Sequence, residues 1–232
     1  MREPTMENEL PVIVRVPGLG DIVELTCEFS TQLQRLHDSG ARLIDARDEA
    51  YARLQTLGKE NIGQVLGTRT SAGFEYAKGQ LPLFRVRSRV DSPAVARRLV
   101  EANTARRYYS TDTTAEYEES ALEAAIDLDK PPAEGSVVIL PSRDPFIISD
   151  KKHWDIYEAV LKDQARPYYE YNGPIPVYPI CKEEVDSQNG TILTVLWFRS
   201  AEGASILYGY SRNLNHDDRA RGVIPVQGLR QD

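Results

Sequence analysis

The sequence predicts an α+β fold, in which a mostly antiparallel sheet with a C-terminal three-stranded meander packs against four or five helices. Two observations carry this prediction. Apolar residues recur with the helical period over residues 31–57, and strand-like runs separated by turn residues dominate the C-terminal part. A chain of 232 residues is long enough to bury a core. We therefore expect a flexible N-terminus over residues 1–10 and a single domain over residues 11–232, with a weak internal boundary near residues 167–179.

The N-terminal half alternates between strand and helix patterns. Residues 12–16 and 22–29 read as a hairpin around a glycine-containing turn, and Gly40 divides the helical stretch that follows. Residues 83–90 alternate as a strand. Ser92-Pro93 then supplies a capping residue and a proline at the first helical position, so a helix is expected to run from there to about Tyr109. Residues 114–129 predict an acidic helix that ends before Pro131-Pro132, and residues 151–165 predict a further helix.

The C-terminal meander is predicted from three runs, residues 177–185, 191–199 and 205–211. Asn189-Gly190 separates the first two runs, and this dipeptide favours a tight hairpin turn. The middle run is apolar at nearly every position over residues 192–198, so it is expected to be a central strand that is covered on both faces.

Composition excludes several classes of protein. The net charge of −7 argues against a surface that binds nucleic acid or membrane over its whole area. No run approaches the length of a membrane span, and the N-terminus lacks the apolar stretch of a signal peptide, so a cytoplasmic location is expected. The spacing of Cys27 and Cys181 fits no zinc site, and phosphate-loop, nucleophile-elbow and zinc-protease motifs are absent. We expect no cofactor.

The most informative stretch is a basic block over residues 83–109. It contains seven arginines against only Asp91 and Glu101, and the eight acids of residues 110–134 follow directly. The arginines are Arg85, Arg87, Arg89, Arg97, Arg98, Arg106 and Arg107.

Alternation places Arg85, Arg87 and Arg89 on one face of their strand, about 6.6–6.8 Å apart. Such a row fits successive phosphates, which guanidinium groups bind in pairs, but it also fits a face that is only solvated. Arg106 and Arg107 lie on the apolar side of the predicted helix, where they complement its C-terminus, pair with the acidic helix or hold an anion. Tyr108 and Tyr109 follow directly. Tyrosines beside arginines are typical of surfaces that stack unpaired bases, but they are also typical of loops anchored on the core.

These patterns favour a non-catalytic binding subunit whose arginine-rich strand and helix hold nucleic acid or another polyanion. One alternative is a metal-assisted hydrolase or nuclease centred on His216, Asp217 and Asp218, since a histidine beside two carboxylates can bind a divalent ion that activates water. The other is a structural or assembly protein, in which the basic block of one subunit meets the acidic helix of another. The compatible partners are thus a polyanion, a protein or further copies of the chain, but not a membrane.

Overall fold

The computed structural model describes residues 10–57, 62, 67–85, 88–106, 108–110, 137–201, 204–209, 214–216 and 218–225. Its strands form one mixed sheet, which within these residues has 12 strands. They are β1 (Val12–Val16), β2 (Gly20–Cys27), β3 (Arg42–Leu43), β4 (Thr68–Tyr76), β5 (Leu83–Arg85), β6 (Tyr109–Ser110), β7 (Val137–Ile139), β8 (Phe146–Ile148), β9 (Ile175–Tyr178), β10 (Ile192–Ala201), β11 (Ala204–Tyr208) and β12 (Asp218–Ile224).

The helices are α1 (Phe29–Asp38), α2 (Ala46–Gln55), α3 (Pro93–Thr104), α4 (Asp150–Leu161), α5 (Ala165–Asn172) and α6 (Lys182–Asp186). Asp45 caps α2 by accepting the Asp48 backbone N–H at 2.8 Å, and Pro93 occupies the first turn of α3, as its sequence predicts. Within the described residues, no helix combines the length and the apolar character that a membrane span requires.

Helices cover the sheet from both sides. The main strand order is β1-β2-β12-β4-β10-β11-β9-β8. On one face, α1 and α3 pack over Val23 of β2 and Val195 of β10. On the opposite face, α2, α4 and α5 pack over Phe74 of β4 and Phe198 of β10. The two cores therefore share the central strands, whose side chains alternate between them.

The predicted fold is wrong in its C-terminal meander. The first of the three expected strands ends at Tyr178 as β9, and the residues after Cys181 form α6 instead. Glu183 and Glu184 stand in the first turn of that helix, where carboxylates are favourable. In addition, β9 pairs with β11 in parallel, whereas a meander pairs sequential strands antiparallel. The sheet is therefore mixed: among the described residues, β9 with β11 and β4 with β12 are parallel pairs, and the other strand pairs are antiparallel.

The arginine row is also changed by the fold. β5 ends at Arg85, and Arg89 begins a 3-10 turn over Arg89–Asp91. The even spacing that an eight-residue strand would impose is therefore not present. By contrast, the N-terminal hairpin is confirmed by the antiparallel pairing of β1 with β2.

A buried ionic cluster ties α2 to three strands. Glu49 is 0% exposed, and its Oε1 accepts from Arg53 Nε at 2.8 Å and from Arg221 Nη1 at 2.5 Å. Arg221 of β12 also donates to Glu24 Oε2 of β2 at 3.0 Å. Arg53 reaches the Phe198 carbonyl of β10 at 3.0 Å and lies over that residue's ring. We call Glu24, Glu49, Arg53 and Arg221 the Glu49 cluster; its two carboxylates balance its two guanidinium groups.

The substitution Glu49→Gln is expected to destabilise the fold by about 3–5 kcal/mol, because it leaves two buried cations with one carboxylate between them. Urea denaturation followed by circular dichroism measures this change. Glu101→Gln on the exposed side of α3 is the matched control and should stay within about 0.5 kcal/mol of the parent. Equal unfolding midpoints for the two variants would show that Glu49 contributes no more to the free energy of unfolding than an exposed glutamate does.

Candidate binding surface

One face of four neighbouring strands, β10, β11, β9 and β8, is left partly open. On the other face of these strands, alternate residues such as Phe198, Leu207 and Val177 are buried under the helices. The residues between them are half-buried or exposed. We define the open face as Ile147, Pro176, Tyr178, Trp197, Arg199, Ile206 and Tyr208.

Strand register brings these side chains together. Trp197 lies opposite Tyr208, which in turn lies opposite Tyr178 across the parallel pair. Arg199 lies opposite Ile206. Directly paired residues point to the same side of a sheet and stand within contact distance. The open face is consequently a continuous patch of aromatic and aliphatic groups with an exposed guanidinium at one margin.

Tyr178 and Tyr208 form a stacked pair at the centre of this patch. Their ring centroids are 5.1 Å apart, and the rings are inclined by 24°. Neighbouring strands are themselves about 4.7–4.9 Å apart, so rings stacked at this distance stand upright on the sheet. They direct edges outward, whereas base stacking on a sheet uses ring faces. This geometry suits a protein surface better than an unpaired base.

Trp197 is packed tightly against the backbone of a neighbouring segment. A Cβ atom added to Gly67 would lie 2.1 Å from Trp197 Nε1 and 2.6 Å from the Arg199 Cα. The indole N–H has no hydrogen-bond acceptor among the described residues. Glycine at position 67 therefore determines where the indole lies within the open face.

Arg69 connects the open face with the turn that contains His216. It lies opposite Trp197 in β4 and is 2% exposed. Its guanidinium donates to Gln32 Oε1 at 2.8 Å and lies 3.4 Å from Asp218 Oδ2. Burial lowers the pKa of Arg69 to about 10, an effect that the Asp218 carboxylate opposes. The arginine thus holds the start of β12 against the sheet.

The turn itself is fixed between two helices. The Leu214 backbone N–H donates to Asn103 Oδ1 at 3.2 Å, near the end of α3. The Leu214 carbonyl accepts from the Phe29 backbone N–H at 3.0 Å, at the start of α1. The two sequence-predicted sites, the arginine helix and the His216 segment, are therefore neighbours in the fold.

The basic block does not form one continuous surface in the described residues. Arg85 contacts the Glu75 carboxylate of β4, which neutralises it. Arg97 and Arg106 are exposed, and Arg98 is half-buried. Arg87, Arg107 and the side chain of Arg89 lie outside the described residues, as does the acidic helix predicted over residues 114–129.

Both predicted stacking tyrosines contact the protein itself. The Tyr108 hydroxyl donates to Glu184 Oε2 at 2.9 Å, and its ring packs against the core under α4 and α5. Tyr109 belongs to β6, pairs with Leu193 and packs against the core under α1 and α3. Their use as anchors on the core is evident, and base stacking by them stays a prediction.

The proposed metal-binding segment shows a different use for one of its carboxylates. Asp218 faces Arg69, and its backbone carbonyl accepts from Gln32 Nε2. His216 is exposed, and Asp217 lies outside the described residues. No group of three or more potential metal ligands is brought together within the part of the chain that is described. The hydrolase stays a prediction that these contacts do not favour.

The open face was missed by reasoning from the sequence. Its signal is the alternation of Ser205, Ile206, Leu207 and Tyr208, in which the partly exposed positions are apolar or aromatic. In a strand with one solvated face, such positions are normally polar. An aromatic residue at the outward position of a strand is the pattern that could have indicated a contact surface.

The substitution Gly67→Ala is expected to displace the Trp197 indole, because the new Cβ atom would overlap it. The resulting loss of folding free energy should be about 1–3 kcal/mol. Fluorescence in a Trp154→Phe background isolates Trp197, and its emission should shift to longer wavelength. The Trp154→Phe protein with Gly67 intact is the control. An unchanged spectrum would show that the segment around Gly67 moves instead.

Comparison with known proteins identifies the fold. No family model and no curated protein matches the sequence. A solved structure from Nanoarchaeota, described as accommodating massive sequence variation by the C-type lectin fold, is similar with a TM-score of 0.55 at 12% sequence identity. The similarity covers 90% of this chain and 99% of the nanoarchaeal one. At this identity the similarity shows architecture alone: the chain has a C-type lectin fold.

Proposed function

We propose that this protein is a non-catalytic binding protein whose open face contacts a protein partner. The observation that carries the proposal is the partly exposed cluster of Trp197, Tyr178 and Tyr208 on a sheet. Tryptophan, tyrosine and arginine are the residues most enriched among those that dominate binding energy at protein interfaces. Arg199 supplies the arginine at the margin of the same cluster.

Two of the four strands that carry the open face, β10 and β11, are held from their other side by a buried arginine. Arg53 of the Glu49 cluster donates to the Phe198 carbonyl in β10 and, at 2.9 Å, to Ser205 Oγ in β11. Such fixation lowers the entropy that ordering a contact surface costs on binding. The proposed surface is therefore organised before a partner arrives.

The nanoarchaeal structure adds an argument by analogy. It is described as accommodating massive sequence variation by this fold. We infer that the present chain likewise separates a fixed interior from a surface that can be adapted to a partner. In this chain the interior is the Glu49 cluster with its two cores, and the adaptable surface is the open face.

The chemistry of the open face indicates the kind of partner. Aliphatic and aromatic groups require an apolar counterpart, and the exposed Arg199 requires a carboxylate at the rim of that counterpart. The upright tyrosine pair offers its ring edges to such a surface. The partner is thus a protein segment or surface that is apolar with an acidic margin.

A display library of random nine-residue peptides, selected on the immobilised full chain, tests this function. The enriched peptides are expected to bind through the open face, because its aromatic side chains are of the types that dominate binding energy at protein interfaces. Trp197→Ala and Tyr208→Ala should each weaken their binding by about 2 kcal/mol, roughly thirtyfold in Kd. Isothermal titration calorimetry measures the change.

Val12→Ala is the matched control, since Val12 is 54% exposed at the opposite end of the sheet. Its affinity for the peptides should equal that of the parent. Peptides that bind the Trp197 and Tyr208 variants as tightly as the parent would refute the open face as the contact surface.

Polyanion binding is the second candidate, favoured by the exposure of Arg97 and Arg106 along and just beyond α3. These groups lie near the turn fixed by Asn103, so an anionic chain could contact both. Phosphate contacts of this kind would supply affinity without reading base sequence. This candidate uses a surface distinct from the open face.

The double substitution Arg97→Ala/Arg106→Ala tests it. If the helix binds oligonucleotides, the parent should show affinity that falls steeply with salt, and removal of two contacts should reduce the slope of log K against log salt by about 2. Trp197→Ala serves as the control with an unchanged slope. Absence of oligonucleotide binding by the parent at low salt would eliminate this candidate.

A further inference from the structure

The sheet ends at β8, a strand with three apolar residues and no protecting charge. Within the described residues, β8 pairs with β9 and with no other strand. Ile147 at its centre is 55% exposed and belongs to the open face. Edge strands of natural proteins usually carry charges, prolines or bulges that prevent another strand from adding.

The opposite end of the sheet has these protections. β1 follows Pro11, and its pairing with β2 is interrupted by an irregularity between Val12 and Val14. Arg15 in the same strand forms a bidentate ion pair with Asp21. β8 also follows a proline, Pro145, but its own three residues carry no charge, and its pairing with β9 has no register irregularity.

Strand register shows where the backbone groups of Ile147 point. Ile147 lies opposite Pro176, which has no backbone N–H to donate. The Tyr178 carbonyl accepts from the Gly209 backbone N–H at 2.8 Å, so the polar groups of Tyr178, and of Pro176 two residues earlier, face β11. Ile147 and Pro176 are therefore a non-hydrogen-bonded antiparallel pair.

In such a pair both backbone groups of the edge residue point away from the sheet. The Ile147 N–H and C=O consequently face the free edge, where no backbone partner for them is found among the described residues. The N–H and C=O of Ile147 match the C=O and N–H of one residue in an added extended chain. The surface of a helix does not present such a pair, because its backbone groups are bonded within the helix.

We propose that an extended segment of the partner protein adds to the sheet beside β8 and forms both backbone hydrogen bonds with Ile147. This inference rests on the proposed function of the open face and specifies how the partner is held. Alternate side chains of the added strand would lie beside Ile147 and continue the open face by one strand. The recognised segment should therefore carry apolar residues at alternating positions and lack proline at the pairing residue.

The test compares Ile147→Pro with Ile147→Ala, using the display-selected peptides as probes. Both variants lose the isoleucine side chain, but only proline also removes the N–H, and edge strands tolerate proline. Ile147→Pro is expected to bind about tenfold more weakly than Ile147→Ala, the effect of one lost hydrogen bond. Circular dichroism confirms that both variants are folded.

Hydrogen exchange on the unmodified chain gives a second readout that does not depend on the proline variant. Bound peptide should slow exchange of the Ile147 amide by at least about tenfold, without a comparable change at Val12. Equal affinity of the proline and alanine variants, or an unprotected Ile147 amide, would overturn strand addition. A concentration-dependent dimer that Ile147→Pro dissociates would overturn it too, since the occupant would be a second copy of the chain.

The two proposals fail in different ways. If Trp197→Ala weakens peptide binding while Ile147→Pro behaves like Ile147→Ala, the open face binds but no strand is added. If neither residue matters, the proposed function fails together with the inference. Loss of binding in both the Trp197 and the Ile147→Pro variants supports both.

Discussion

The carboxylate of Glu49 is the constraint on which the rest of the structure depends. It is fully buried and accepts from two guanidinium groups, one from its own helix and one from β12. Removing either kind of partner would strand a charge in a low-dielectric interior. The arrangement therefore fixes the position of α2 along the sheet far more narrowly than apolar packing would, because a shift of one helical turn would break every contact at once.

That constraint separates the two faces of the C-terminal strands. Arg53 holds β10 and β11 from the face that α2, α4 and α5 cover. The side chains of these strands on the open face therefore need not contribute to that core. Arg69 performs a related task on the other face, where it holds β12 and the turn before it. The open face lies beside Arg69 and above Arg53.

Local patterns in the sequence were sufficient for the elements whose contacts are local. The hairpin of β1 and β2, the division at Gly40 and the start of α3 follow from turn, capping and periodicity rules. The meander failed because apolar alternation does not specify a neighbour: β9 reaches the far side of β11 after a helix intervenes. The evenly spaced arginine row was wrong because Arg89 belongs to a 3-10 turn and not to the strand that contains Arg85.

Charge counting from the sequence cannot distinguish buried arginines from exposed ones. Arg53, Arg69 and Arg221 are almost fully buried. Arg53 pairs with Glu49 one turn earlier in its own helix, whereas Arg69 and Arg221 pair with carboxylates that are distant in sequence. The open face is hidden from sequence by the same non-locality. Tyr178 and Tyr208 become neighbours through a parallel pair, and the outward direction of the Ile147 backbone follows only from its register with Pro176. A contact surface that is assembled by strand pairing can be recognised only once the strand order and register are known. In this chain, strand order and register favour the β8 edge of the sheet, and not the arginine block, as the proposed contact site.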